Sequence, residues 1–406
     1  MKADRVLVVD AGTSALRAVL VAPDGATQIV VSEPWRMFTP EDAAPFGREF
    51  DAAEVFAALG RLLDAASSRR DQIAGVAFTG QREGLVFVDE TGKALLVSPN
   101  IDARASAEGM AIDAKHAEAV YRATGHLPSL MQVPAKFAWL RERRPRTAER
   151  VRHAVPLADW LASTLTGTAV ASRSLAAENG MLDITGGAPP EEVWSMLGVP
   201  SSLVPPVVID GSAGGECSVA PFAGTPVVLC GGDTQCALVG MGAVTVGSAG
   251  VSAGWSAPVQ LVTASPVFDA EMRTWSGMHV VPRRYVVESN AGETGRVWEW
   301  LLSMLALSAP DADALAAASP AGANDVMISL GAPRMNAAAM NAGVGGITFP
   351  LPIVMAAPDR ADLVRAMLES IAFAVRANLE QAEQVAGVRV AELRLGGGMS
   401  RSPLFA

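Results

Sequence analysis

The chain has 406 residues, 50% of them hydrophobic and 18% charged, a composition that excludes a disordered chain and suffices for two packed domains. Its formal net charge of −10 excludes a surface that attracts nucleic acid or anionic lipid as a whole, so an anionic ligand needs local backbone N–H groups, an arginine or a cation. Three cysteines, Cys217, Cys230 and Cys236, have no paired metal spacing and read as reduced thiols. With Met1-Lys2-Ala3-Asp4-Arg5 leading straight into a strand pattern, the expectation is a soluble, cytoplasmic protein.

Residues 5–10 form a β-branched run ending in Asp10-Ala11-Gly12-Thr13-Ser14, and residues 16–21 and 27–31 are further strand patterns around a Pro23-Asp24-Gly25 turn. Two such hairpins predict three adjacent antiparallel strands. Residues 52–66 carry helical periodicity, with Phe56, Leu59, Leu62 and Leu63 on one face. A strand over 73–78 meets Thr79-Gly80-Gln81-Arg82-Glu83-Gly84, and the run 85–88 turns at Asp89-Glu90-Thr91-Gly92. Helices are predicted over 105–116, 135–143 and 156–165, with a solvated charged patch over 141–152. A strand over 225–229 ends in Cys230-Gly231-Gly232-Asp233. The uncharged stretch 234–268, broken by Gly, Ser, Thr and Pro, reads as buried strands and turns rather than a membrane span. Its glycine-clustered part, 238–250, is the candidate linker. Helices over 295–305 and 360–385 follow, then a strand over 392–395 leading into Gly396-Gly397-Gly398. This order of strands, helices, strands and helices predicts two α/β domains.

The turn at Asp10 combines a strand-end carboxylate, a glycine that permits a tight bend, and the hydroxyls of Thr13 and Ser14. It can hold a phosphate while Asp10 holds Mg²⁺ through water, or it is an ordinary hairpin turn. Gly231-Gly232-Asp233 is a second strand-end carboxylate. Ionised Asp233 can take the proton of a substrate hydroxyl in phosphoryl transfer, and it can also cap a helix starting at Thr234. Arg82-Glu83, beside flexible glycines, suits recognition of several hydroxyls, Arg donating and Glu accepting; the plainer alternative is a surface ion pair. Gly396-Gly397-Gly398 either lets a nucleotide lie against the backbone or is a loop. The sequence has no Walker A, H-E-x-x-H or C-x-x-C motif and four histidines in all, which disfavours a metalloprotein or a His-based hydrolase.

In their order and spacing these pieces resemble the FGGY carbohydrate kinase family over nearly the whole chain. The matching stretches are Val8-Val9-Asp10-Ala11-Gly12-Thr13-Ser14 with Arg17, Gly80-Gln81-Arg82-Glu83-Gly84, and Asn100-Ile101-Asp102-Ala103-Arg104. Asp159-Trp160-Leu161 with Leu165-Thr166-Gly167, Gly231-Gly232-Asp233, the run from Asp362 to Glu369, and Gly396-Gly397-Gly398 complete the set. The resemblance implies two ribonuclease H-like domains of the actin and hexokinase architecture, 1–240 and 241–406, with the active site in the cleft between them. It implies Asp233 as catalytic base and, with Gln81, Arg82 and Glu83, as a substrate contact. It further implies Asp10 and Asp233 at a Mg²⁺ site, Gly12, Thr13, Ser14 and Arg17 near the phosphates of ATP, and Gly254, Gly396, Gly397 and Gly398 elsewhere along the nucleotide.

The implied partner is a small sugar or polyol, with no nucleic acid and no membrane; a homodimer is allowed. Candidate acceptors are xylulose- or ribulose-like, glycerol- or erythritol-like, or autoinducer-2-like. Xylulokinases usually carry Met-His where this chain has Arg82-Glu83, which weakens a plain xylulokinase reading. Arg-Glu is similar to glycerol kinases, although Met131 stands in place of their substrate-contacting Tyr. Together with Asn100-Ile101-Asp102-Ala103-Arg104-Ala105-Ser106 it also resembles autoinducer-2 kinases.

Departures from the family pattern bear on activity. The turn that faces the nucleotide phosphates usually reads Gly-Thr-Ser or Gly-Gly-Thr, and here Ala253-Gly254-Trp255-Ser256 aligns, with an indole in place of a hydroxyl donor. The pattern before Asp362 is stretched around residues 350–358. Family chains also run well past the Gly-rich turn, whereas this one stops at Ala406, so a truncated second domain is expected. The alternative to an active kinase is therefore a weak or inactive sugar-binding, regulatory homologue, or an inactive fragment.

Overall fold

In the computed structural model, which describes residues 3–330, 334–339, 345–351 and 357–406, the chain divides into two compact α/β units. The first comprises Met1–Cys236 and Gly277–Arg283, the second Ala237–Ser276 and Arg284–Ala406.

The sheet of the first unit has the order Ser212–Glu216, Pro226–Gly232, Ile73–Gly80, Arg5–Ala11, Ala15–Val21, Thr27–Pro34. The last three are the antiparallel strands expected from the two hairpins. Arg5–Ala11, Ile73–Gly80 and Pro226–Gly232 run parallel to one another. Antiparallel strands followed by parallel neighbours are the ribonuclease H-like arrangement that the resemblance implies. Burial explains the strand compositions: Arg5–Ala11 alternates, with Leu7, Val9 and Ala11 fully buried, whereas the central Ile73 strand is covered along most of its length.

Helix Ala52–Ser67 starts where Asp51 accepts hydrogen bonds from Ala53 N at 2.7 Å and Glu54 N at 3.1 Å. Its core stripe is Val55, Ala58, Leu59, Leu62, Leu63 and Ala66. Phe56, expected on that stripe, is 42% exposed and leans on Trp160 instead, because one position along a helix turns the side chain by about 100°. The charged patch over 141–152 is the solvated helix end and loop expected: Arg141, Glu142, Arg143, Arg146, Glu149, Arg150 and Arg152 are exposed, while the half-buried Arg144 bonds Asp42 at 2.7 Å and Glu49 at 2.8 Å.

In the second unit, Tyr285–Asn290, Pro258–Thr263, Ala249–Ser252 and Leu393–Gly396 are neighbours in that order. Helix Arg360–Ala386 opens with a reciprocal cap between Asp359 and Asp362 and buries Val364, Met367 and Ile371 against Val251, Val259 and Leu301. Residues 238–250 are not a linker. Leu238 to Met241 complete helix Asp233–Met241, and Ala249 and Gly250 already belong to a strand, so the glycines serve a helix end and a close contact. The uncharged stretch accordingly starts with a helix, not only strands and turns. Of the stretched segment 350–358, residues 352–356 lie outside the described residues. Among the described residues no helix is long and apolar enough to cross a membrane.

Candidate active site

Three parallel strands of the first unit end side by side. Thr79 is the register partner of both Asp10 and Gly231, and Ala11 and Gly232 both pair with Gly80. Asp10, the turn at Gln81-Arg82-Glu83, and Asp233 therefore issue from one edge of the sheet, the carboxyl end where ligands of α/β proteins bind. The backbones of the two outer strands lie about 10 Å apart, two strand spacings.

Asp233 is the first residue of its helix and accepts from Thr234 N at 2.7 Å, one step later than the cap expected from the sequence. Burial pushes its carboxyl up to about 7; Arg82 opposes this, while the charges of Asp10 and Glu178 add to it. The bend before it requires glycine. Gly231 has φ +91°, and a Cβ there would collide with Ser174 Oγ and the Asp210 carboxylate. Ser174 in turn accepts from Gly232 N at 3.1 Å and donates to Asp210 at 2.8 Å, and Thr79 donates to the Gly231 carbonyl at 2.8 Å.

Asp10 is raised by burial and held back by Arg17, whose Nη1 lies 3.3 Å from its Oδ2. Gly12 turns tightly, its N–H bonded to Ala15 O at 3.1 Å, and its carbonyl accepts from Trp35 Nε1 at 2.7 Å and Gln81 Nε2 at 3.1 Å. Thr13 Oγ1 accepts from Asn100 Nδ2 at 3.0 Å, and Ser14 is exposed. Gln81, expected as a substrate contact, is buried; its amide N–H donates to the Gly12 carbonyl and its amide oxygen takes the N–H of Asn100 at 2.6 Å, so it braces two turns against each other.

Arg82 and Glu83 are not a surface pair. Arg82 is bonded to Glu178 at 3.2 Å, with side chains 11% and 1% exposed. Glu83 has φ +62° and its carbonyl accepts from the buried Lys136 at 3.2 Å. Burial raises the Glu83 carboxyl against the pull of Arg82, and burial lowers the Lys136 ammonium to about 8. Glu178, His126, Lys136, Gln235 and Asn100 were missed as individual site residues. The available signal was a charged residue set in apolar company, as Lys136 is in Val133-Pro134-Ala135-Lys136-Phe137-Ala138-Trp139.

The second unit has its own cavity of about 1090 Å³, bordered by Gly254, Trp255, Gly295, Trp298, Gly398 and Met399. Gly295 lets the start of helix Thr294–Leu305 approach the Gly254 carbonyl so closely that any Cβ would overlap it. Trp255 is 49% exposed at this cavity, where the family pattern has a hydroxyl. Of the three consecutive glycines, Gly398 borders the cavity, whereas Gly396 packs on Met241 and Gly397, at φ +89°, on Ala253. Among the described residues no three His, Cys, Asp or Glu side chains gather as a metal cage. Two carboxylates, Asp10 and Asp233, of which the first raises the second, suit Mg²⁺, which typically takes one or two protein carboxylates and completes its shell with water and phosphate.

Residues 5–240 match the N-terminal domain, and residues 249–406 the C-terminal domain, of the FGGY family of carbohydrate kinases. An autoinducer-2 kinase of Yersinia pseudotuberculosis serotype O:3 (strain YPIII) is 28% identical over 433 residues, covering 99% of this chain and 80% of that protein. Among solved structures, a xyloylose kinase from Brucella ovis superposes with a TM-score of 0.86 at 22% identity, over 98% of this chain and 83% of that one. Plasmodium falciparum glycerol kinase with ADP also gives 0.86, at 20% identity, over 100% and 83%.

Proposed function

This chain belongs to the FGGY family of carbohydrate kinases, phosphotransferases that act on sugar hydroxyls, and from that premise we propose that it transfers the terminal phosphate of ATP to a short, linear, polyhydroxylated acceptor. The observation that supports this most directly is the shared register of Asp10, Thr79 and Gly231. It delivers two carboxylates and the Arg82-Glu83 turn to one sheet edge.

Asp233 is the general base: a carboxyl near 7 is matched to proton abstraction at neutral pH. It takes the hydroxyl proton as the acceptor oxygen bonds to phosphorus and the bond from phosphorus to the departing ADP oxygen breaks. Arg82 donates to acceptor hydroxyls and Glu83 accepts from them, with Lys136 fixing the Glu83 carbonyl. Gly12, Thr13 and Arg17 attend the phosphates, and the cavity at Gly254, Trp255 and Gly398 takes the nucleoside. Asp10 and Asp233 would hold Mg²⁺, which would neutralise phosphate charge when bound.

The test is ADP release with and without xylulose, ribulose, glycerol, erythritol and the autoinducer-2 precursor, the last tried first because of the relative's name. Acceptor-stimulated release that disappears in Asp233→Ala is the expected result. Release that ignores every acceptor defeats the proposal. Trp255 favours one second reading, a sugar-binding protein with impaired use of ATP, which would show as acceptor binding without turnover.

A further inference from the structure

The carboxylate of Glu178 is 1% exposed and is approached by three side chains from separate parts of the first unit. Oε2 accepts from Arg82 Nη1 at 3.2 Å and lies 3.3 Å from His126 Nε2; Oε1 accepts from Gln235 Nε2 at 2.6 Å. Arg82 belongs to the turn after strand Ile73–Gly80, His126 to the loop after helix Ser106–Thr124, and Gln235 is the third residue of the helix that Asp233 begins.

Both ring nitrogens of His126 are placed to donate. Its Nδ1 is 2.9 Å from the Thr124 carbonyl oxygen, which can only accept, and its Nε2 faces a carboxylate oxygen, which also only accepts. Burial by itself favours the neutral ring, but the Glu178 charge and hydrogen bond raise His126 above the ordinary value, with Glu83 assisting. Burial likewise pushes Glu178 up, yet Arg82, His126 and Gln235 together bring it down to about 2. Lys136 also acts on the nearby Glu83.

Closed to solvent and engaged at both oxygens, Glu178 has little room to take a ligand itself. Its partners do the work. A Cβ on Gly232 would come within 3.3 Å of Arg82 Cγ and would strike Gln235 Oε1, so Arg82, Gln235 and the residue before Asp233 lie against one another. We propose that Glu178 is a positioning residue of the acceptor site, fixing the Arg82 guanidinium relative to Asp233 by tying it to Gln235 on the base's own helix, with the His126 imidazolium closing the carboxylate's remaining side. The assignment rests on the acceptor reading above. Without Glu178, the guanidinium loses its tie to the base's helix, and its position relative to Asp233 and the acceptor hydroxyls shifts.

The experiment compares wild type, Glu178→Gln, Glu178→Asp and Gln235→Ala in acceptor-dependent ADP release, with melting curves to verify folding. Glu178→Gln is expected to raise the acceptor KM by about tenfold or more with the ATP KM unchanged, and Glu178→Asp to recover part of that loss. A folded Glu178→Gln protein with an unaltered acceptor KM overturns the proposal. If Glu178→Gln does not fold, Gln235→Ala decides, since it removes one tie without leaving a buried charge unpaired; an acceptor KM equal to wild type then overturns it. If wild type turns over no acceptor, the functional reading fails separately, and ¹⁵N NMR of His126 tests the network. Two protonated nitrogens at neutral pH, with Nε2 losing its proton in folded Glu178→Gln, support it. A neutral ring in wild type overturns it.

Discussion

At the strand ends of the first unit, charged groups are buried and each is met by specific partners, Arg82 by Glu178 and Glu178 by His126 and Gln235. The cavity of the second unit is bordered largely by aromatic and aliphatic side chains, and its shape depends on the close approach of Gly295 to the Gly254 carbonyl. On the proposed function the two regions solve different recognition problems. A hydroxyl acceptor is distinguished by hydrogen-bond direction, which needs preorganised donors and acceptors, whereas a nucleoside offers a flat apolar face that a well-shaped cavity can take. The first region should therefore fail through lost chemistry, and the second through lost shape.

The largest effect expected is on the acceptor side. Asp233→Asn should lower kcat by about 10²- to 10⁴-fold, the usual worth of a general base, while the protein still binds nucleotide. Steady-state ADP release beside calorimetric ATP binding measures both; a modest loss of kcat would erase the contrast between the regions.

On the nucleotide side, shape is probed by two glycines a short distance apart. Gly295→Ala forces a methyl group into the Gly254 carbonyl and should cost about 1–3 kcal/mol of stability and weaken ATP binding. Gly254→Ala meets open space and should stay within about 0.5 kcal/mol of wild type. Urea denaturation of the pair shows whether close backbone approach is what matters.

Buried charge in the first unit also leaves a pH signature. Asp159 Oδ2 accepts from Ser172 N at 2.7 Å and Ser172 Oγ at 2.8 Å, while its Oδ1 has no partner among the described residues, and burial pushes the group up to about 7. The folded protein thus keeps this proton when the unfolded chain, with an ordinary aspartate value, has lost it. Between about pH 4 and pH 7 the unfolded state binds fewer protons, so stability falls as pH rises, by about 2–4 kcal/mol for this group. Asp159→Asn should flatten that part of a stability–pH curve; an unchanged slope removes Asp159 as its source.

The smallest effect concerns the indole. Trp255→Ser restores a hydroxyl at the cavity and should tighten ATP by about threefold, roughly 0.6 kcal/mol, with the acceptor KM unmoved. Competition binding with a fluorescent nucleotide reads this, and weaker binding would make Trp255 a contact rather than an obstruction.

Much of the site was legible because its signals are local. Asp10 and Asp233 each stand at the end of a β-branched run followed or preceded by glycine, and Arg82-Glu83 sits between glycines just past another strand. Gln81 carried the same local signal, and its bracing bonds to Gly12 and Asn100, which come from other turns, were not legible. Glu178 and His126 had no local signal of their own. Each is a single polar residue on a helix or loop whose meaning comes from a partner far along the chain, 96 positions in the case of Arg82 and Glu178. The core face of Ala52–Ser67 shows the same limit at small scale, since Val55 and Phe56 are both apolar and only packing decides which turns inward.

By itself, the amino-acid order determined the hairpins of Arg5–Ala11, Ala15–Val21 and Thr27–Pro34, the long capped helix Arg360–Ala386, and the motif set that places the chain in its family. Those follow from side-chain periodicity and turn chemistry, which act over a few neighbouring residues. Tertiary structure alone decided that Asp10, Arg82 and Asp233 share one sheet edge, that burial pushes the Asp233 carboxyl up to about 7, and that Arg82 is ion-paired with Glu178, far along the chain. The reason is that proton affinity and hydrogen-bond choice depend on desolvation and on which charges are brought together, quantities that exist only once strands remote in the chain lie side by side.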